Sequence, residues 1–149
     1  MKEQQSGSLK VTVVIVTYNR AEMLKEALAS LTTQSRFPDE VLVVDNNSSD
    51  HTKAVAESFK GRLNMSYVFE PVQGVSSARN AGIRHAQGDI IVYLDDDCIA
   101  EKDWLYYMEI PFIRDPSIGM VGGQIGNCRV KGTLIEDYCI AASLLSVEK

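Results

Sequence analysis

Apolar and polar positions fall into alternating blocks along this chain. Leu9 to Val16 is a nearly continuous β-branched run, the pattern of a strand covered on both faces. The polar stretch Thr17-Tyr18-Asn19-Arg20 follows. Met23, Leu24, Ala27, Leu28 and Leu31 then recur at helical spacing, which predicts a helix from about Ala21 to Thr33. Arg36-Phe37-Pro38-Asp39 breaks the chain before a second buried run, Glu40 to Val44, ending at Asp45. Asn46 to Asp50 carries turn and helix-cap chemistry. It predicts a helix from about Asp50 to Phe59, ended by Lys60-Gly61. Met65 to Glu70 predicts a third strand, stopped by Pro71.

After the loop Val72-Gln73-Gly74, Ser76 or Ser77 is the expected cap of a third helix running to about Ala86. Its small residues Ala78, Ala81 and Gly82 suit close packing on a sheet. Gln87-Gly88 ends it, and Ile90 to Leu94 predicts a strand buried on both faces. Lys102 to Arg114 predicts a fourth helix, with Trp104, Leu105, Met108 and Ile113 apolar and Pro111 as a kink point. Gly119 to Ile125 predicts a further strand weakened by glycines. Apolar residues from Thr133 through Leu145 predict a last helix.

This alternation implies an α/β fold: a mostly parallel sheet with helices on both faces. Right-handed crossovers place every strand C-terminus along one edge. Thr17-Tyr18, Asp45 and the consecutive acids Asp95, Asp96 and Asp97 converge there. Adjacent carboxylates cannot follow Leu94 into the core, because unpaired buried charge is too costly. They belong where the strand emerges, the edge at which open α/β sheets bind ligands. Like charges repel by roughly 4 kcal/mol per pair at 4 Å and an effective dielectric near 20. A divalent cation relieves that repulsion, and hard oxygen donors suit Mg²⁺ or Mn²⁺ shared with substrate phosphates. The plain alternative is a solvated acidic turn leading into the next helix.

The 149 residues are the size of one domain, and a hydrophobic content of 45% supports a globular core. Net charge is −5, which argues against a nucleic-acid partner, since that needs a basic face. Cys98, Cys128 and Cys139 lack metal-ligand spacing and read as free thiols of a reducing cytosol. No apolar run approaches membrane-spanning length. Residues 1–8 are polar and read as a flexible leader before a domain over residues 9–149.

The familiar phosphate loops are missing: neither GxGxxG after the first strand nor GxxxxGK[ST] occurs. Phosphates must be held otherwise, most simply through a metal on the acids. Asp45 either accepts a hydrogen bond from a base N–H or caps its own turn. Arg79, in a helix of small residues, either points at a diphosphate or base or lies on the surface. His51 and His85 read as solvent-exposed, and Trp104 as core rather than a sugar platform.

VTVVIVTYNR at 11–20, VVDNNSSD at 43–50, GVSSARNAGIRHAQGDIIVYLDDDC at 74–98 and PSIGMVGG at 116–123 resemble the inverting family 2 glycosyltransferases of GT-A fold. The resemblance covers roughly Leu9 to Gly123. It implies a Rossmann-like site for a nucleotide-diphosphate-sugar donor, UDP- or dTDP-type by preference, with a divalent cation, Mn or Mg. By resemblance, Thr17 and Tyr18 lie against the nucleoside, Asp45 corresponds to a base-recognising aspartate, and Arg79 to an arginine near the base. Asp95 and Asp97 resemble the outer acids of the DxD motif. Asp97 then holds the metal, with Asp95 also counted among its ligands, and Asp95 or Asp96 meets the ribose.

The implied reaction is transfer of the sugar, with inversion, to a sugar, lipid or protein acceptor. Family domains are usually longer, and their later half supplies the acceptor site and a catalytic acid. No residue here matches that acid; Glu136 and Asp137 form an acidic pair but come too soon after the three acids. The chain therefore reads as a donor-binding portion, with a homodimer as an expected assembly and a cytoplasmic setting, including the cytoplasmic face of a membrane. The alternatives are a non-catalytic nucleotide-sugar-binding module and a sugar nucleotidyltransferase. The latter wants a basic glycine-rich loop after the first strand, which Thr17-Tyr18-Asn19-Arg20 does not supply.

Overall fold

A computed structural model describes residues 9–123 and 141–146. The elements are β1 (Val11–Thr17), α1 (Ala21–Leu31), β2 (Glu40–Asp45), α2 (Thr52–Ser58), β3 (Met65–Phe69), α3 (Val75–His85), β4 (Ile90–Leu94), α4 (Trp104–Arg114) and β5 (Ala141–Ser146). They build a five-stranded sheet of order β3-β2-β1-β4-β5. The first four strands are parallel, and β5 runs antiparallel to β4.

The central strands are apolar on both faces because helices cover both. Val11, Val13, Val14, Ile15, Val41 and Val43 are fully buried, and all of Ile90–Leu94 lies in the core. Each such side chain contributes about 1.5–3 kcal/mol on burial, which fixes where β4 ends and so where its acids emerge. Right-handed crossovers put α1 and α2 side by side on one face and α3 on the other, against β1 and β2. The chain winds outward from β1 through β2 to β3, then returns to place β4 on the other side of β1. That reversal makes the β1/β4 boundary a topological switch point.

Three expectations need correction. Ser76 and Ser77 do not cap α3: its N-cap is Gly74, at φ 137° and with no side-chain cap. Asn46 fixes that start instead, accepting from Gly74 N at 2.7 Å and donating to Val72 O at 2.7 Å. Over residues 119–123 no strand forms; only Gly122 makes an isolated bridge, glycine lacking a side chain to pack in a sheet. Residues 124 and 125 lie outside the described residues. Residues 141–146 form a strand, not the end of a helix. The open edge of β4 offers unpaired backbone groups, and pairing with them overrides local helical spacing. The rest of the expected helix, from Thr133 to Ile140, lies outside the described residues, as do residues 1–8, Cys128, Cys139, Glu136 and Asp137. Among the described residues, no helix is long and apolar enough to cross a membrane.

Candidate functional site

The strand ends and the loops after them enclose a cleft of about 440 Å³ at the β1/β4 switch point. From β1 and its loop come Thr17, Tyr18 and Arg20; from the loop after β2, Asn46. The start of α3 brings Gln73, Gly74, Val75 and Arg79, and β4 brings Tyr93 and Asp95–Asp97.

Local chemistry holds these loops in place. Asn19 sits at φ 51°, a left-handed conformation that Asn tolerates better than most residues. Its N–H donates to Ser48 Oγ at 2.8 Å, and its side-chain oxygen accepts from Ser49 N at 2.7 Å. The loops after β1 and β2 are thereby locked together. Asp50 reaches across both helix starts, accepting from Ala21 N at 3.1 Å and Thr52 N at 3.0 Å. Tyr18 projects beside this lock and is 47% exposed.

The three acids have unlike surroundings. Side-chain exposure is 32% for Asp95, 7% for Asp96 and 48% for Asp97. Arg79 Nη2 lies 3.4 Å from Asp95 Oδ1, and its guanidinium sits 5.7 Å from the centre of the Tyr93 ring, within cation–π range. Tyr93 Oη donates to Arg79 O at 3.0 Å, pinning α3 to β4. From the other side, Arg20 Nη1 lies 3.1 Å from Asp96 Oδ1 and 3.2 Å from Asp97 Oδ2. Burial raises the Asp95 pKa against the pull of Arg79. Burial likewise raises that of Asp96, opposed by Thr17 and Arg20. The hydrogen bond to Asp96 raises the Arg20 pKa. Thr17 Oγ1 is buried and has no partner of good hydrogen-bond geometry, yet lies near enough to Asp96 to favour its charged form.

Donor atoms of Asp95, Asp97 and Cys98 lie within 4.8 Å of one another. The two carboxylates are hard donors suited to Mg²⁺ or Mn²⁺, and the Cys98 thiol beside them is a softer donor. The residues present therefore fit the divalent cation implied by the sequence.

Of the residues expected at the site, Thr17, Tyr18, Arg79, Asp95, Asp96 and Asp97 line one cleft. Asp45 does not. It is 2% exposed, and its oxygens accept from Ser48 N at 2.8 Å and Tyr67 Oη at 2.5 Å. Burial, followed by the Asp45 contact, pushes the Tyr67 pKa far up. His51 and His85 are exposed away from the cleft, and Trp104 packs against the core. Arg20, Asn46 and Cys98 are additions that sequence reasoning assigned no role here. The only signal for Arg20 and Cys98 was their position, each within a few residues of a strand's C-terminal end.

The sequence profile described as "Glycosyl transferase family 2" matches residues 12–138. The chain belongs to that family. It is 38% identical over 120 residues to glycosyltransferase AglE of Haloferax volcanii, covering 77% of this chain and 39% of AglE. Among solved structures, the mannosyltransferase PcManGT from Pyrobaculum calidifontis, in complex with GDP-Man and Mn²⁺, superposes at TM-score 0.71 with 31% identity. That match covers 78% of this chain and 36% of the mannosyltransferase. S. aureus TarS in complex with UDP matches at TM-score 0.65 and 29% identity, over 71% of this chain and 32% of TarS. The chain thus spans about two fifths or less of each of these relatives.

Proposed function

We propose that this chain binds a nucleotide-diphosphate-sugar and serves a glycosyltransferase that passes the sugar to an acceptor hydroxyl with inversion. One observation carries the reading: three carboxylates and two arginines line a single cleft at the β1/β4 switch point. The solved relatives support it, one holding GDP-Man with Mn²⁺ and another UDP.

A divalent cation bound by Asp95 and Asp97 would neutralise charge on the departing diphosphate. The remaining roles belong to the chain itself. Tyr18 offers an exposed ring for the nucleoside base, and Thr17, its hydroxyl buried beside Asp96, forms part of the cleft wall. Arg79 stands on the pinned start of α3, where its guanidinium meets phosphate or ribose oxygens as a planar fork. Asp96, largely buried, holds the floor of the acidic cluster.

Each Asp45 oxygen holds one hydrogen bond and keeps a further lone pair, but the residue is buried, so a preference for uracil or thymine through its carboxylate involves a small rearrangement of the loop after β2. Among the described residues, the cleft presents no carboxylate outside the Asp95–Asp97 cluster, so the acceptor's general base is not assigned to it.

A calorimetric panel of UDP, dTDP, GDP and ADP with saturating Mn²⁺ tests the reading. Binding of UDP and dTDP ahead of ADP is expected, with the preference lost in Asp45→Ala. No binding of any of the four at about 1 mM, the weak end of specific affinity, would overturn it.

A further inference from the structure

The two arginines that flank the acids are rooted differently. Arg79 issues from within α3 and is pinned through Tyr93 at both its backbone and its guanidinium. Arg20 issues from the residue just before α1, and its carbonyl accepts the first helical bond from Leu24 N at 2.9 Å. The preceding Asn19 is locked to Ser48 and Ser49. The root of Arg20 is therefore fixed. Its side chain is 51% exposed and crosses open cleft to reach Asp96 and Asp97.

That reach ends on Asp97 Oδ2, an oxygen of one of the two acids offered to the cation. A guanidinium and a divalent cation compete for the same carboxylate. Three carboxylates against two guanidiniums leave the acidic end of the cleft at a net −1. A divalent cation brings it to +1, which repels the nearest unpinned guanidinium and attracts a diphosphate. Arg20 is that guanidinium, and its fork geometry matches phosphate oxygens better than an ammonium would.

We propose that Arg20 is the resident counter-ion of Asp97: it yields that carboxylate to the incoming divalent cation and turns its guanidinium onto the donor's diphosphate in the same cleft. This rests on the nucleotide-sugar reading above. Arg20 thereby couples the order of loading, because the group that opposes the bare cation supports the cation together with its nucleotide.

The coupling gives opposite signs in two binding measurements. Mn²⁺ affinity is read without nucleotide, by the paramagnetic resonance of free Mn²⁺; UDP affinity is read by calorimetry at saturating Mn²⁺. In Arg20→Met, Mn²⁺ binding tightens about two- to fivefold, the scale of an exposed ion pair. UDP binding weakens about tenfold, the scale of one charge-assisted hydrogen bond. Arg20→Lys keeps the charge without the fork, so Mn²⁺ binding stays near that of the unaltered chain while UDP binding still weakens.

A measurement on the unaltered chain stands independently of how the variants fold: the Arg20 guanidinium resonance should shift on adding Mg²⁺ alone and shift again on adding UDP. Both affinities moving the same way in folded Arg20→Met, or an Arg20 resonance unmoved by Mg²⁺, would overturn the role of Arg20 alone. An unaltered chain that binds neither Mn²⁺ nor UDP would overturn the functional reading with it.

Discussion

Replacing Gly82 with alanine tests how the sheet positions the site. Gly82 lies on α3 where the helix backs onto β1, and an added Cβ would sit 2.7 Å from Val14 Cγ1 and 3.6 Å from Cγ2. Carbon atoms prefer about 3.5–4.0 Å, so the overlap approaches 1 Å. Val14 cannot swing away: it is β-branched, fully buried and paired with Leu42 on one side and Tyr93 on the other. Overpacking of this kind costs about 1–3 kcal/mol. Alanine returns about 1 kcal/mol of helix propensity over glycine. The net expectation is a loss of about 1 kcal/mol, or about 2–4 °C in Tm for a domain of this size. Gly82 is also one turn from Arg79, so a helix pushed off β1 carries that guanidinium away from Asp95. Urea unfolding of Gly82→Ala, Val14→Ala and the double variant reads the effect directly. The methyl added at 82 should partly fill the space vacated at 14, making the double variant more stable than additivity predicts by about 1 kcal/mol. Additivity within about 0.5 kcal/mol, or Gly82→Ala as stable as the unaltered chain, would refute the close-packing argument.

Two further outcomes follow from polar contacts. Tyr67→Phe removes the hydroxyl donor to buried Asp45 Oδ2, and thermal unfolding should show a loss of about 1–3 kcal/mol from the unsatisfied carboxylate oxygen. In acid, Asp39 weakens the fold as it protonates. Burial raises its pKa, but the Val11 N–H and Arg36 outweigh burial and leave it lowered. A lowered folded-state pKa gives stability that is present above the unfolded value of about 3.9 and is lost as pH falls through the folded value. Asp95 and Asp96, raised by burial, act in the opposite sense. Asp39→Asn should therefore lower Tm at pH 7 and flatten its fall below about pH 4; an unchanged slope would remove Asp39 from the account.

Much of the fold was legible because the central strands are continuous β-branched runs, and such runs have few alternatives to burial on both faces. Ile90–Leu94 has the expected bounds for that reason, and the acids after it emerge at the cleft. What escaped depends on partners distant in sequence. Residues 141–146 have helix-permissive spacing, and only the open edge of β4 makes them a strand. The start of α3 is set by Asn46, 28 residues before Gly74, so the nearby serines misled. Arg20 pairs with Asp96 across 76 residues, a contact no local pattern announces. Asp45 stands at a strand end as expected, but its register opposite Thr17 and Phe69 leaves its carboxylate beside Tyr67 rather than in the cleft.

The central claim is that the acids at the end of β4 hold a nucleoside diphosphate through a divalent cation. Calorimetric titration of UDP with Mn²⁺ and again with EDTA, on the unaltered chain and on Asp97→Asn, tests it most directly. Asp97 is half exposed, so the substitution should leave Tm within about 2 °C, as surface changes of about 0.5 kcal/mol do. The account predicts UDP binding that is strong with Mn²⁺, weak with EDTA, and equally weak with or without metal in Asp97→Asn. UDP affinity that is the same with Mn²⁺ and EDTA in the unaltered chain would contradict it.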